Sequence, residues 1–528
     1  MDTARIILIL LMAALASADP EKPPAALFEI PGKPTPQCSI DEAVFARLEK
    51  LGIEPARLCS DHVFLRRVYL DVIGTLPTSK ETRQFLASRS PNKRRALVNA
   101  LLQRPEFADY WAMRWSDVLR LKAEFPINLW PNAAMAYYRW LHTSLKRNKP
   151  YDQFVRELLT SSGSNFRVPA VNFYRALQGK DPEALAKGAA LTFMGTRAEK
   201  WEKPRLDAFA AIFSCVAFKG TQEWKEEIIF FDSMKAAKAA GSDAAKAAAL
   251  PDGTPVKMSC DKDPREVFAD WLITPTNPWF ARNIVNRTWA WLQGRGIIHE
   301  PDDIRPDNPP TNPELLAALE TEFVAAKYDF KRLLRTILNS TTYQLSAIPR
   351  SDHAEAEAQF AFYPVRRLDA EVLIDALCQI TATGEQYSSA IPEPFTFIPE
   401  YRRSIALPDG SISSSFLEMF GRPPRDTGHQ LERTNTPTAG QRLHMLNSTH
   451  IRRKIGESRT LGPIIAAGTS SPRSAAVELY LTILSRYPTE KELDIVVAYG
   501  QGKETKGEKA MTDLAWALVN STEFLYRH

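Results

Sequence analysis

Two segments of the 528-residue chain concentrate side chains able to do chemistry. The first, residues 299–308, reads HEPDDIRPDN and sits in a proline-rich loop after a helical stretch that carries Arg287. Asp302, Asp303 and Asp307 stand close together there, beside Arg305 and Asn308. Three carboxylates with a neighbouring amide could hold Ca²⁺, which takes roughly six to eight oxygen ligands. The spacing fits no EF-hand, because Gly is missing at the sixth position and no Glu closes the loop. The same carboxylates could instead cap the following turn and pair with Arg287 and Arg305, or form a glycan or catalytic site.

The second segment, residues 425–433, reads RDTGHQLER and follows a loop bearing Phe395, Phe397 and Tyr401. Aromatic faces for stacking beside forked donors for hydroxyls are what a sugar groove needs. Asp426 and Glu432 could supply acid and base for glycoside cleavage, if their separation falls within roughly 5–10 Å. The expected catalytic candidates are therefore Asp302, Asp303, Asp426 and Glu432. The expected ligand-binding candidates are Arg287, Arg305, Asn308, Arg425, His429 and Arg433. An Arg/Asp/Glu network that merely fixes the loop is the competing reading.

Other catalytic patterns are missing from the sequence. It has no glycine-rich phosphate loop, no HExxH and no G-x-S-x-G elbow, which disfavours nucleotide enzymes, zincins and typical α/β-hydrolases. The eight histidines are dispersed, and His444 and His450 fall on different helix faces or different helices. No cofactor is called for, apart from the Ca²⁺ option above.

The elements that must position these residues read as helices. Residues 40–51 and 64–73 place apolar side chains three and four apart, the period of a half-buried helix. Residues 110–121 and 133–145 read as aromatic-rich helices packed on each other. Another helix starts at Pro150-Tyr151-Asp152 and ends in the Ser/Gly stretch 161–164. Residues 383–412, rich in Pro, Ser and aromatics, are expected to hold short strands. The fold class expected is mainly α: two multi-helical domains, a repeated helical module and minor short β-strands. The domains are expected at 38–231 and 264–528, joined by a connector at 232–263 that contains the Ala/Lys run.

The beginning of the chain reads as a secretory signal over residues 1–18: Arg5, an apolar run at 6–15, then Ala16-Ser17-Ala18. The run is shorter than the roughly 20 residues that span a bilayer, so an exported mature chain without a transmembrane segment is expected. Residues 19–37 form a proline-rich tether. The net charge of +5 is spread without a dense basic block, which argues against nucleic acid as a partner. Five scattered cysteines do not make a disulfide framework; Cys38 and Cys59, flanking one helical stretch, are the pair worth testing.

An internal echo strengthens the helical reading. YLDVIGTLPTSKE at 69–81 matches YLTILSRYPTEKE at 480–492, and ALLQRPEF at 100–107 matches ALVNSTEF at 517–524. Thr78 with Glu81, and Thr489 with Glu492, have capping-box spacing. Arg66, Arg67 and Asp71 correspond to Val477, Glu478 and Thr482, so the module is expected to fold without those charges. Arg67 and Asp71, four apart, either pair on a helix surface or serve a site or interface.

Two stretches then carry a family resemblance. FLRRVYLDVIGTLPT at 64–78, with NKPYDQFVRELLTSSGSNF at 148–166, resembles the N-terminal planctomycete cytochrome-associated domain (PSCyt type). Residues 277–316, extended by 331–346 and 421–428, resemble its C-terminal partner domain (PSD type). The resemblance implies a large exported protein of unknown function, often fused to cytochrome or carbohydrate-binding modules. Many relatives carry a C-x-x-C-H haem motif where this chain reads Arg197-Ala198-Glu199-Lys200-Trp201, without Cys or His. Many also have closely spaced cysteines where this chain has residues 427–431. A haem-free branch is therefore expected, since covalent haem needs two thiols and an axial imidazole. The resulting expectation is an envelope protein that binds or processes complex polysaccharide, with a scaffold for other envelope proteins as the alternative.

Overall fold

The computed structural model describes residues 25–239, 247–502 and 504–528. The expected signal, the start of the tether and the middle of the Ala/Lys run lie outside the described residues. Helix makes up 52% of the chain and strand 5%, so the fold is mainly α with minor short strands. One apolar cluster runs from Ile40 to Phe524.

The helices that matter for the site are α1 (Ser39–Leu51), α2 (Asp61–Ile73), α3 (Ser79–Ala87), α4 (Pro105–Val118), α5 (Pro131–Lys146), α6 (Phe280–Gln293), α7 (Ala370–Thr381), α8 (Pro472–Ile483) and α9 (Glu490–Tyr499). Helix α2 buries every residue from Val63 to Ile73, charged ones included, because helices enclose it on several sides. It stops at Gly74, whose left-handed backbone (φ 59°) lets Tyr110 of α4 pack where a Cβ would stand.

The repeated module is present as α2–α3 and α8–α9. Both capping boxes form: Thr78 with Glu81 and Thr489 with Glu492. Each such cap contributes about 1 kcal/mol. The Asn-Ser-Thr triplets at 447 and 520 likewise end one helix and cap the next, through Ser448 and Ser521.

The charges of the first copy are not on a surface, which corrects the surface-pair reading. Arg66, Arg67 and Asp71 are buried, and Arg67 and Asp71 do not pair with each other. Arg66 donates to the carbonyls of Ile483 and Phe524, both at 3.0 Å, and so ties the first copy to the second. Arg67 donates to the carbonyls of Tyr343 (2.6 Å), Leu345 and His528 (both 2.9 Å). Asp71 accepts from the hydroxyls of Tyr343 and Tyr363 and meets Arg527 at 3.3 Å. The two copies share a helical frame and both use this face to hold distant segments: on the second copy Glu478, at the position of Arg67, pairs with Arg83 and accepts from the Ser79 hydroxyl.

Two small antiparallel sheets complete the fold. β1 (Gly163–Ser164), β2 (Val216–Gly220) and β3 (Glu227–Phe231) form one, in the order β1-β3-β2. β4 (Arg366–Arg367) and β5 (Tyr526–Arg527) form the other, pairing Arg366 with Arg527 and Arg367 with Tyr526. The loop at 383–412 contains no strand; it has an isolated Ser388–Ser413 bridge and a 3-10 turn, Ser404–Ala406. Side chains replace a ladder there: Asp375 accepts from the amides of Ser404 and Ile405, and the Tyr387 hydroxyl donates to the Arg402 carbonyl. All five cysteines are free thiols, so Cys38 and Cys59 are not joined. No helix among the described residues is long and apolar enough to cross a membrane.

Candidate functional site

The two polar segments meet at Asp302. Its carboxylate is fully buried, lies 2.7 Å from Arg287 and accepts the backbone N–H of Gln430 at 2.6 Å. The expected pairings of this loop form, Arg287 with Asp302 and Arg305 with Asp303 at 3.2 Å, and Arg305 also meets Asp307 at 2.9 Å. Lys200 also reaches Asp303, at 3.2 Å. Asn308 donates to the carbonyls of His299 and Asp303 and closes the turn. Among the described residues, no group of three or more His, Cys, Asp or Glu side chains is arranged to hold a metal ion.

In the second segment, Asp426 pairs with Lys122 at 2.8 Å. Glu432 accepts the Thr427 amide through Oε1, while its buried Oε2 has no partner. His429 lies 3.9 Å from Asp302, and burial lowers its pKa, so the imidazole is neutral at pH 7. Arg425 and Arg433 both grip Asp117 at the end of α4, at 2.9 and 2.7 Å. Arg433 also binds Glu371 at 2.7 Å.

These contacts belong to a larger buried network. Asp369 receives Arg114 at 2.6 Å and Arg527 at 2.9 Å. Despite burial, which opposes it, the guanidinium groups around Asp369 hold its carboxyl well below the usual range. Glu371 falls to about 2, where the charge of Arg433 and its hydrogen bonds outweigh burial. A buried charge is costly unless it is paired or fully hydrogen-bonded, and here each carboxylate has its guanidinium. Three of the four candidate acids, Asp302, Asp303 and Asp426, are thus each held by a cation.

Above this network opens a cleft of about 420 Å³. Of the ten candidate residues only Arg433 lines it, and the rest of its cationic wall is Arg114, Arg295, Arg366 and Arg367. The end of α6 builds one side. Gly294 caps the helix in the left-handed region (φ 78°), and a Cβ there would strike the Arg366 side chain. Arg366 therefore lies across the helix end and donates to the carbonyls of Trp291 and Leu292, as a cation at a helix C-terminus should. Arg367 holds the opposite loop by donating to the carbonyls of Asn435, Phe420 and Thr434.

The charge balance of the wall follows from these partners. Arg114 and Arg433 are neutralised by Asp369, Asp117 and Glu371. Glu300, the one carboxylate in the wall, is taken by Arg197 at 2.6 Å. Among the described residues Arg295, Arg366 and Arg367 have no carboxylate partner within ion-pair distance, so the wall is left positive. Buried nitrogens of Arg114, Arg295, Arg366 and Arg367 also lack hydrogen-bond acceptors. An unmet buried donor costs about 1–3 kcal/mol. Guanidinium forks match carboxylate and sulfate geometry, and among the described residues Arg295 is the wall arginine whose fork donates to no carbonyl or carboxylate, whereas those of Arg366 and Arg367 hold carbonyls.

Sequence reasoning reached Arg433 and the loop behind it but missed Arg295, Arg366 and Arg367. Two signals were in view: an arginine between two glycines at 294–296, and an Arg-Arg doublet with no acid within four residues before it. The segment at 197–201 also has a defined place. Arg197 and Lys200 reach Glu300 and Asp303, clamping it to the loop beneath the cleft.

Residues 39–202 match the PSCyt2 family and residues 264–499 match the PSD1 family, both described as proteins of unknown function (DUF1549 and DUF1553). No curated protein and no solved structure matches the chain. The cleft draws on both matched regions, Arg114 from the first and the Arg295, Arg366, Arg367 and Arg433 group from the second.

Proposed function

We propose that this chain, which belongs to the proteins that combine the PSCyt2 and PSD1 families of unknown function, is an exported binder of anionic polysaccharide. The observation that carries the reading is the cleft wall of Arg295, Arg366 and Arg367, uncompensated by carboxylates. A sulfate ester or uronate would meet the positive charge of these guanidinium groups, and neighbouring sugar hydroxyls would find Asn435, Gln430 and Thr436 on the same wall. Asp302 acts here as a positioning residue: it holds the Gln430 amide and so sets the loop that carries Arg433. Covalent haem has no part in this reading, since residues 197–201 offer no thiol or imidazole and use Arg197 and Lys200 as a clamp.

The test is affinity electrophoresis through gels containing dextran sulfate, alginate or neutral dextran. Retardation by the two charged polymers and none by dextran supports the reading; equal migration in all three gels refutes it. A role as an envelope interaction protein has one observation in its favour. Trp224 and Phe395 are both more than half exposed and in ring contact at 5.8 Å, a surface suited to a partner. Its test is a stoichiometric complex in native purification that Trp224→Ala dissolves.

A further inference from the structure

The cationic cleft does not end at its own wall. A second cavity of about 220 Å³ lies beside it, and the two share Val365 and Tyr526 as common lining. The partition is the short β4–β5 ladder, in which Arg367 faces Tyr526. The second cavity is lined by Phe28, Val63, Ala347 and Ile348 together with the shared pair. Its acidic and its basic side chain present little charge. Glu523 is held by Arg486 at 2.7 and 2.9 Å, and burial pushes the His528 imidazole down to about 4, so it is neutral at pH 7. Val365, 55% exposed, stands at the junction where apolar and cationic surfaces meet.

Resting on the polysaccharide-binding reading above, we propose that the ligand of the cleft is an anionic sugar bearing an alkyl or acyl chain. The acidic group sits against Arg295, Arg366 and Arg367, and the chain passes Val365 and Tyr526 into the apolar cavity. Two features carry this: the cavities are adjacent, sharing Val365 and Tyr526 as lining, and their chemistries differ sharply across one ladder. An apolar cavity alone would take many hydrophobes, and a cationic cleft alone many anions. Together they favour an amphiphile, because the buried methylenes and the placed anionic end each add to the affinity of one molecule.

The experiment is calorimetric titration of the full protein with three probes below their micelle concentrations: methyl β-glucuronide, octyl β-glucuronide and octyl β-glucoside. Octyl glucuronide is expected to bind at least tenfold more tightly than either of the others. Ile348→Trp, which fills the apolar cavity without touching an arginine, is expected to erase the chain-length preference and leave methyl glucuronide binding unchanged. Thr522→Trp, at the exposed rim of the same cavity, provides a second blocking variant. Equal affinity for methyl and octyl glucuronide overturns the inference and leaves the anion-binding reading standing. Octyl glucoside binding as tightly as octyl glucuronide overturns it too, because the arginines would then contribute nothing. Failure of both glucuronides to bind removes the polysaccharide reading together with the inference.

Discussion

Arg367 and Tyr526 are register partners across a two-residue ladder, and that pair separates a cationic cleft from an apolar cavity. Residues 159 positions apart in sequence thus meet at the centre of the candidate site, and the elements around them exist to hold that meeting. Arg527, the next residue of the ladder, is buried between Asp71 and Asp369. The same strand therefore links the site to the charge network beneath it.

Asp71→Thr installs the residue that the second repeat copy has at position 482. The variant leaves two tyrosine hydroxyls without their acceptor and removes one of the two carboxylates beside Arg527, which keeps Asp369. Breaking a buried charge pair in this way costs about 3–5 kcal/mol. Urea unfolding is expected to show a loss of that size, whereas Thr482→Asp on the second copy has no such partners to gain.

Acid stability should depend on Glu371. Its folded pKa of about 2 lies below its ordinary value of 4.5, so its ionised form stabilises the fold. That contribution is complete above the ordinary value and is lost as pH falls from there towards 2. Glu371→Gln is expected to lower stability at pH 7 and to flatten the acid limb of a plot of unfolding midpoint against pH. Arg433→Met, which removes the closest cation of Glu371 and one of the two on Asp117, should cost more at pH 7 than at pH 3.

What could be read from the sequence was what depends on near neighbours. The capping boxes at Thr78 and Thr489 need only a residue three positions on, and both formed. The Arg287–Asp302 pair spans 15 positions within one helix and loop, and it formed as well. Arg67 was legible only as one of a pair with Asp71, because its acceptors Tyr343, Leu345 and His528 lie 276 to 461 positions away. The cleft escaped notice for the same reason. Nothing local to Arg366 and Arg367 says that their neighbours are carbonyls rather than carboxylates.

Anion binding should strengthen in mild acid. His299 stands in the cleft wall with a pKa lowered by partial burial and by the charge of Arg295. It is therefore neutral at pH 7.5 and gains a proton only below its ordinary value of 6.5. Affinity for a uronate, which stays ionised throughout, is expected to rise a few-fold between pH 7.5 and 5. His299→Gln should remove that rise and leave the affinity at pH 7.5 unchanged.

The most direct test of the cationic cleft is the affinity of alginate oligosaccharide for the Arg295→Ala variant. Among the described residues the Arg295 guanidinium makes no hydrogen bond or ion pair, so its removal should leave stability intact. Lys257→Ala, an exposed lysine outside the cleft, removes the same charge and serves as the control. Titration at moderate salt is expected to show at least a tenfold weaker affinity for Arg295→Ala and no more than a twofold change for Lys257→Ala. Equal losses in the two variants would mean that the polymer follows net charge alone, and the cleft would not be the site.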